Sequence, residues 1–381
     1  MLLPLDGPSA LRALRVYRRT GRALPRARID LPEPDPSPQR RWTERLVPLD
    51  LLALPSAPSE EHPLHVLSPT AIGRPQASFF KTRVLGVLPE GSFVDLQNGL
   101  VIPCPELLFL RMAAHLSPEA HTLLAYELAG TYARDPDDPR LGTVVFGVAP
   151  VTSIDGITSY LDRYGRRNGT VLCAHNLASA RDNAWSPMEA VIALLALLPP
   201  IEQGYGLGQI TLNVRHEASE NLVALGARTS RVPDIELTGS HVGFNYDGSQ
   251  HLNLEAILDA ARTGEDAEKI MREVREKSRE DILRNRELLA MGRLILPVTS
   301  ADLFAPGGLD AVMLEAALAR EEIDGISSAD VRHLVETRWY ADPRRKLIWS
   351  LLPWRPGVSH AREVLEAMPW RKPGIRYSLR W

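Results

Sequence analysis

Residues 231–251 read RVPDIELTGSHVGFNYDGSQH, and two alternating runs flank a Gly-Ser pair there. In the first run Val232, Asp234 and Glu236 share one side, and Pro233, Ile235 and Leu237 share the other. In the second, Gly243, Asn245 and Asp247 share a side. Gly239 at the first central position of a two-residue loop predicts a type II′ hairpin centred on Gly239-Ser240. That register sets Thr238 opposite His241, Glu236 opposite Gly243, and Asp234 opposite Asn245. Asp247 then lies diagonal to Asp234, within reach of a shared ion. Crowded acids on one sheet face have two readings. One is a solvated face; the other is a metal site that neutralises them.

Outward from the hairpin, the order of elements gives the fold class. Upstream, SPMEAVIALLALLPP (186–200) predicts a helix with Ser186 as N-cap and Pro187 at its first position. Glu189 completes the capping-box pattern, which gives that acid a purely structural reading. ITLNVRH (210–216) reads as a strand. Downstream, a charged helix runs from Leu254 to Met291 and stops at Gly292 in the C′ position, with i,i+4 pairs such as Glu273–Lys277. RLILPVT (293–299) is a last strand, after which Ser300 caps a helix. The expected order is helix, three antiparallel strands, long helix, strand: an α/β domain.

The 381 residues carry a formal net charge of −3 and two cysteines. That length suggests two or three domains, and two thiols exclude a disulfide framework. Cys104 and Cys173 read as buried thiols of a cytoplasmic protein. The Cys173-x-His175 spacing reads as a packed thiol beside a surface histidine. The N-terminus lacks the unbroken apolar run of a signal peptide, and Ala190–Leu198 is too short to span a bilayer. No membrane partner is expected.

Residues 1–60 combine a basic helix (9–23) with a proline-rich arm. Arg12, Arg15, Arg18 and Arg19 read either as phosphate contacts or as a solvated face. Residues 61–183 read as an α+β module with a helical connector. It has short β-type runs before a helix at Pro105–Leu116, a second helix capped by Ser117, then helices near 152–164 and 169–181. Residues 184–305 hold the α/β domain. Residues 306–381 form a helical, basic, tryptophan-rich extension. In it Trp339, Trp349, Trp354, Trp370 and Trp381 stand among Arg344, Arg345 and other cations. Such interleaving suits stacking and phosphate contacts, a protein partner, or a subdomain pinned to the core.

Four stretches carry a family resemblance: SPME (186–189), PDIEL (233–237), NYDGSQH (245–251) and DILRNRELLAMGRLILPVTSADL (281–303). Their order resembles the restriction-endonuclease-like PD-(D/E)XK superfamily, and more narrowly the DUF559 group related to very-short-patch repair endonucleases. Residues 60–150 look more weakly like the region before this domain in AbiEi-type antitoxin proteins. The resemblance implies a restriction-endonuclease-like core that binds DNA and cleaves it with Mg²⁺. Its site residues would be Glu189, Asp234, Asn245, Asp247 and His251, with Asp234, Glu189 and Asp247 toward the metal. Two departures stand out. Asn245 occupies the place of an expected carboxylate, and Asp247 the place of a lysine that would hold the attacking water. The same resemblance therefore also fits a slow or degenerate nuclease, or an antitoxin-like regulator that keeps the fold as a scaffold.

Overall fold

The two alternating runs of 231–247 pair as their periodicity requires. In the computed structural model Ile235 lies opposite Phe244 and Glu236 opposite Gly243. The structure describes residues 2–33, 42–72, 74–167, 169–247 and 267–353. Within these the chain divides into two units, one reaching to Pro187 and the other spanning Met188–Leu352. The α/β class expected from the sequence is what is found.

The first unit begins with strand β1 (Leu3–Pro4) and helix α1 (Gly7–Arg19). Two small sheets follow. Strand β2 (Leu64–Ser68) runs parallel to β3 (Phe80–Val84), and β4 (Phe93–Asp95) pairs with β5 (Leu100–Pro103), which also takes up β1. Helices α2 (Pro105–Met112) and α3 (Pro118–Ala129) come next, and the Ser117 hydroxyl caps α3 as its sequence predicts. A short pair, β6 (Tyr132–Ala133) and β7 (Val145–Phe146), precedes α4 (Ile154–Tyr164) and α5 (Thr170–Ala178). Cys104 and Cys173 are both buried, as expected, and Cys173 packs beside an exposed His175.

In helix α1 the structure takes Arg15 and Arg18 out of the phosphate-contact reading. Arg15 makes two bonds to the buried Glu127 carboxylate, at 2.9 and 2.6 Å. Arg18 donates to the carbonyls of Glu127, Gly130 and Ala149 at 2.7–3.1 Å. Arg12 reaches the Ala53 carbonyl and Asp137, and Arg19 the Thr143 carbonyl. Arg15 and Arg18 are buried and bond inward, whereas the Asp137 and Thr143 bonds of Arg12 and Arg19 lie at the surface. The solvated-face alternative fails for Arg15 and Arg18 as well.

The second unit opens with α6 (Pro187–Leu197), whose residues Ala190 to Ala196 are all buried. A helix apolar on every side belongs inside a core. Strands β8 (Ile210–Leu212), β11 (Ile235–Leu237), β12 (Val242–Asp247) and β13 (Leu294–Thr299) form one sheet in the order β13-β12-β11-β8. Its first three members in chain order are antiparallel, and β13 joins β12 in parallel. Between β8 and β11 the chain makes a side excursion through β9 (His216–Glu217), α7 (Glu220–Ala224) and β10 (Ser230–Arg231). A parallel neighbour needs a crossover, and helix α8 (Ala267–Ala290) lies in that connection. The element order read from the sequence is therefore present.

Local chemistry sets the ends. Gly292, at φ +78°, follows α8, and the Arg293 N–H returns to the Leu288 carbonyl at 2.9 Å, a Schellman closure. Thr299, not Ser300, caps the next helix, α9 (Ser300–Phe304). Asp302 answers it in a capping box, since Thr299 has the extended backbone that a cap requires. The hairpin turn also differs from the expected one. The Ser240 N–H closes on the Leu237 carbonyl at 3.1 Å, so Thr238 and Gly239 are the central residues. Gly239, at φ +73°, is the second of them, where a type II-like turn requires a left-handed residue. Asp324, ending helix α10 (Gly308–Asp324), then holds the hairpin tip through Ser240 Oγ and the His241 N–H and Nδ1. Burial pushes Asp324 up, but hydrogen bonds from His241 and Ser240 outweigh it and hold the carboxyl down at about 2.

Helices α11 (Ala329–Glu336) and α12 (Arg338–Leu351) complete the unit. They correct part of the tail reading. Arg344 is fully buried, bonded to Asp310 at 2.6 Å and lying over the Tyr205 ring. Arg345 pairs with Asp342. Arg344 thus ties α12 to α10, whereas Arg345, 37 % exposed, pairs within its own helix. Trp339 is 81 % exposed and pins nothing. Trp354, Trp370 and Trp381 lie outside the described residues, as do the side chains of Glu273 and Lys277.

Candidate functional site

Four of the five residues named from the sequence stand near the end of the hairpin; His251 lies outside the described residues. At this end the strands β11 and β12 part, and side chains replace ladder bonds. The Asp234 N–H donates to Asn245 Oδ1 at 2.9 Å. In return the Tyr246 N–H donates to Asp234 Oδ2 at 2.7 Å. The two residues clasp each other's strands, so each buried backbone donor has a partner.

Helix α6 delivers Glu189 to the same place. Its Oε2 accepts from Asn213 Nδ2 at 3.0 Å, and the Asn213 N–H in turn donates to the Asp234 carbonyl at 3.1 Å. Asn213 thus ties the helix acid to the strand acid. The Glu189 charge is felt at Asp234, whose carboxyl is pushed up to about 7. Burial is the largest cause and Glu189 the next. The Tyr246 hydrogen bond and Arg284 on α8 pull the other way, and Asp247 adds a little to the rise.

Glu189 and Glu236 are 7 and 5 % exposed, so the solvated-face reading fails for these two acids, while Asp234 and Asp247 are half-buried. Glu236, on the same side as Asp234, has two partners: His216 Nε2 at 2.7 Å and Arg293 Nε at 3.5 Å. Arg231, at the start of the motif, pairs with Glu287 at 2.5 Å and Glu280 at 3.0 Å on α8.

The chemistry of the donors tests the metal reading. A hard cation wants several free carboxylate oxygens. Here one oxygen of Glu189 and one of Asp234 already accept protein hydrogen bonds. Asn245 spends its carbonyl oxygen on the Asp234 N–H, and its Nδ2, a donor, is buried without a partner among the described residues. Among the described residues no three His, Cys, Asp or Glu side chains gather as a ligand set. As arranged, these residues do not fit Mg²⁺.

The sequence reading missed Asn213, His216, Arg284 and Arg293. Asn213 had a signal: asparagine within a strand-like run is the residue that tolerates a left-handed backbone, and it sits at φ +53°. The other three carry no local signal. Comparison with protein-family models, curated proteins and solved structures finds no match. No helix among the described residues is long and apolar enough to cross a membrane.

Proposed function

We propose that residues 188–352 are a nuclease-like domain that binds DNA and hydrolyses it slowly. The observation that carries this reading is the meeting of Glu189 and Asp234 at the parted end of a sheet. Its surroundings are a helix, three antiparallel strands, a long helix and a parallel strand. A carboxyl raised by burial and by an acid from a separate element is the kind of group that functional sites collect. Binding to a duplex should weaken steeply with salt, and supercoiled plasmid should be nicked slowly.

A second reading has its own observation. Asn245 is used as a strand clasp, so a scaffold that binds DNA without cutting it fits the same geometry. Asn245→Asp separates the two. The new carboxylate can still accept from the Asp234 N–H, and it adds the missing charge. Without metal the variant is expected to lose about 2 kcal/mol, because a third buried acid joins two others. Mg²⁺ or Mn²⁺ should restore that loss as a concentration-dependent rise in melting temperature. Nicking should rise with it. DNA binding with no nicking by either protein leaves the scaffold reading standing. No salt-dependent binding by the wild type removes both readings.

A further inference from the structure

Asn213 does more than join Glu189 to Asp234. Its backbone lies in the left-handed region (φ +53°), which asparagine tolerates better than most residues with a side chain. The chain leaves β8 at this point. Three residues later His216 stands opposite Arg231 in the β9–β10 ladder. Along a flat ribbon Arg231 and Glu236 would be roughly 17 Å apart. Yet His216 Nε2 lies 2.7 Å from Glu236 Oε2. The ribbon therefore turns back on itself, and the histidine is carried to Glu236, two residues along the strand from Asp234.

We propose that His216, oriented by Glu236, is the general base that takes the proton from the attacking water in this site. The inference rests on the hydrolytic reading above. The Glu236 carboxylate accepts from Nε2, so the neutral ring carries its proton there and its lone pair on Nδ1. Among the described residues the ring's bond is made through Nε2, and the side chain as a whole is 17 % exposed. Glu236 is a positioning residue, 7 % exposed and also approached by Arg293. The nearest charged groups are Glu236 on β11, in contact with the ring, Arg293, which reaches the other Glu236 oxygen, and Arg231, the register partner of His216 on β10. This supplies the function left open where Asp247 replaces a lysine. The water proton passes to Nδ1 as the water oxygen bonds to phosphorus. The P–O3′ bond then breaks with its electron pair on the leaving oxygen, which takes a proton from solvent. His216 returns its own proton to solvent.

The test uses the full chain with supercoiled plasmid and Mg²⁺ across pH 5.5–9. Anisotropy on a labelled duplex is measured in parallel. His216→Gln should slow nicking about 100-fold and erase the acid limb of the pH profile, with duplex affinity unchanged within about twofold. Glu236→Gln should slow it less and shift that limb. Imidazole in the buffer should partly rescue His216→Ala. Nicking that Asp234→Ala abolishes but His216→Gln leaves intact, acid limb included, overturns the base assignment and spares the hydrolytic reading. A wild type that binds duplex but nicks at no pH overturns both. If the variants do not fold, nitrogen NMR of the wild type decides. The ring proton is expected on Nε2, and finding it on Nδ1 overturns the proposal.

Discussion

Asp234→Asn is expected to stabilise the second unit by roughly 2 to 4 kcal/mol at pH 8, by about half of that or less at pH 5, and by little below pH 4. The wild-type carboxyl has an ordinary value of 3.8 and is pushed up to about 7 in the fold. Between these values the folded chain holds a proton that the unfolded chain has lost. Stability from this group is thus complete below about pH 4 and falls as pH rises through 7. Above 7 the fold carries an ionised acid, desolvated and facing Glu189. Asparagine removes that charge and keeps an oxygen to accept from the Tyr246 N–H. Urea titrations of both proteins at pH 5 and pH 8 measure the difference. A variant less stable than wild type at pH 8 would show that the hydrogen bonds to Asp234 outweigh its burial. Hydrolysis should be lost in the same variant, the usual exchange between stability and a working site.

How far the sequence reaches is clear from single residues. The register of 235–244 is legible because a one-residue slip would turn Ile235, Leu237, Val242 and Phe244 away from the core. The position of the turn is not, because Gly239 suits the first central place of one turn type and the second of another. That Asp234 and Asn245 meet follows from the register. That they clasp each other through backbone N–H groups does not, since alternation assigns faces and says nothing of where strands part. Burial of the acid-bearing face could be suspected only from α6, whose apolar circumference demands cover on all sides. His216 is invisible for a different reason. It reaches Glu236 across the bend that follows β8, and a strand pattern read residue by residue assumes no bend. The same limit governs α1, where the arginines are plain in the sequence but their carboxylate lies more than a hundred residues away.

That carboxylate gives the second large effect. Glu127→Gln is expected to destabilise the first unit by about 3 to 5 kcal/mol, the range for breaking a buried ion pair from one side. Glu127 is 1 % exposed, takes both bonds from Arg15, and accepts the Arg134 N–H at 3.1 Å. Burial alone would raise its carboxyl. The charge and hydrogen bonds of Arg15 overcome that, with Arg134 and Arg18 helping, and hold it below the ordinary 4.5. A depressed acid contributes stability above its unfolded value and loses it as pH falls through the folded one. Acid unfolding of this unit should therefore begin below about pH 4.5 in the wild type and be blunted in the variant. A measured loss under about 1 kcal/mol would mean that solvent reaches the pair. Replacing both partners, Arg15→Met with Glu127→Leu, should recover most of the stability, since neither charge is then left buried alone. That double variant also tests the functional standing of the basic helix. Each cation withdrawn from the DNA backbone lowers the salt dependence of binding by about one unit of slope. With Arg15 turned inward, the slope of the folded double variant should equal that of the wild type. A lower slope would return helix α1 to the DNA-binding surface.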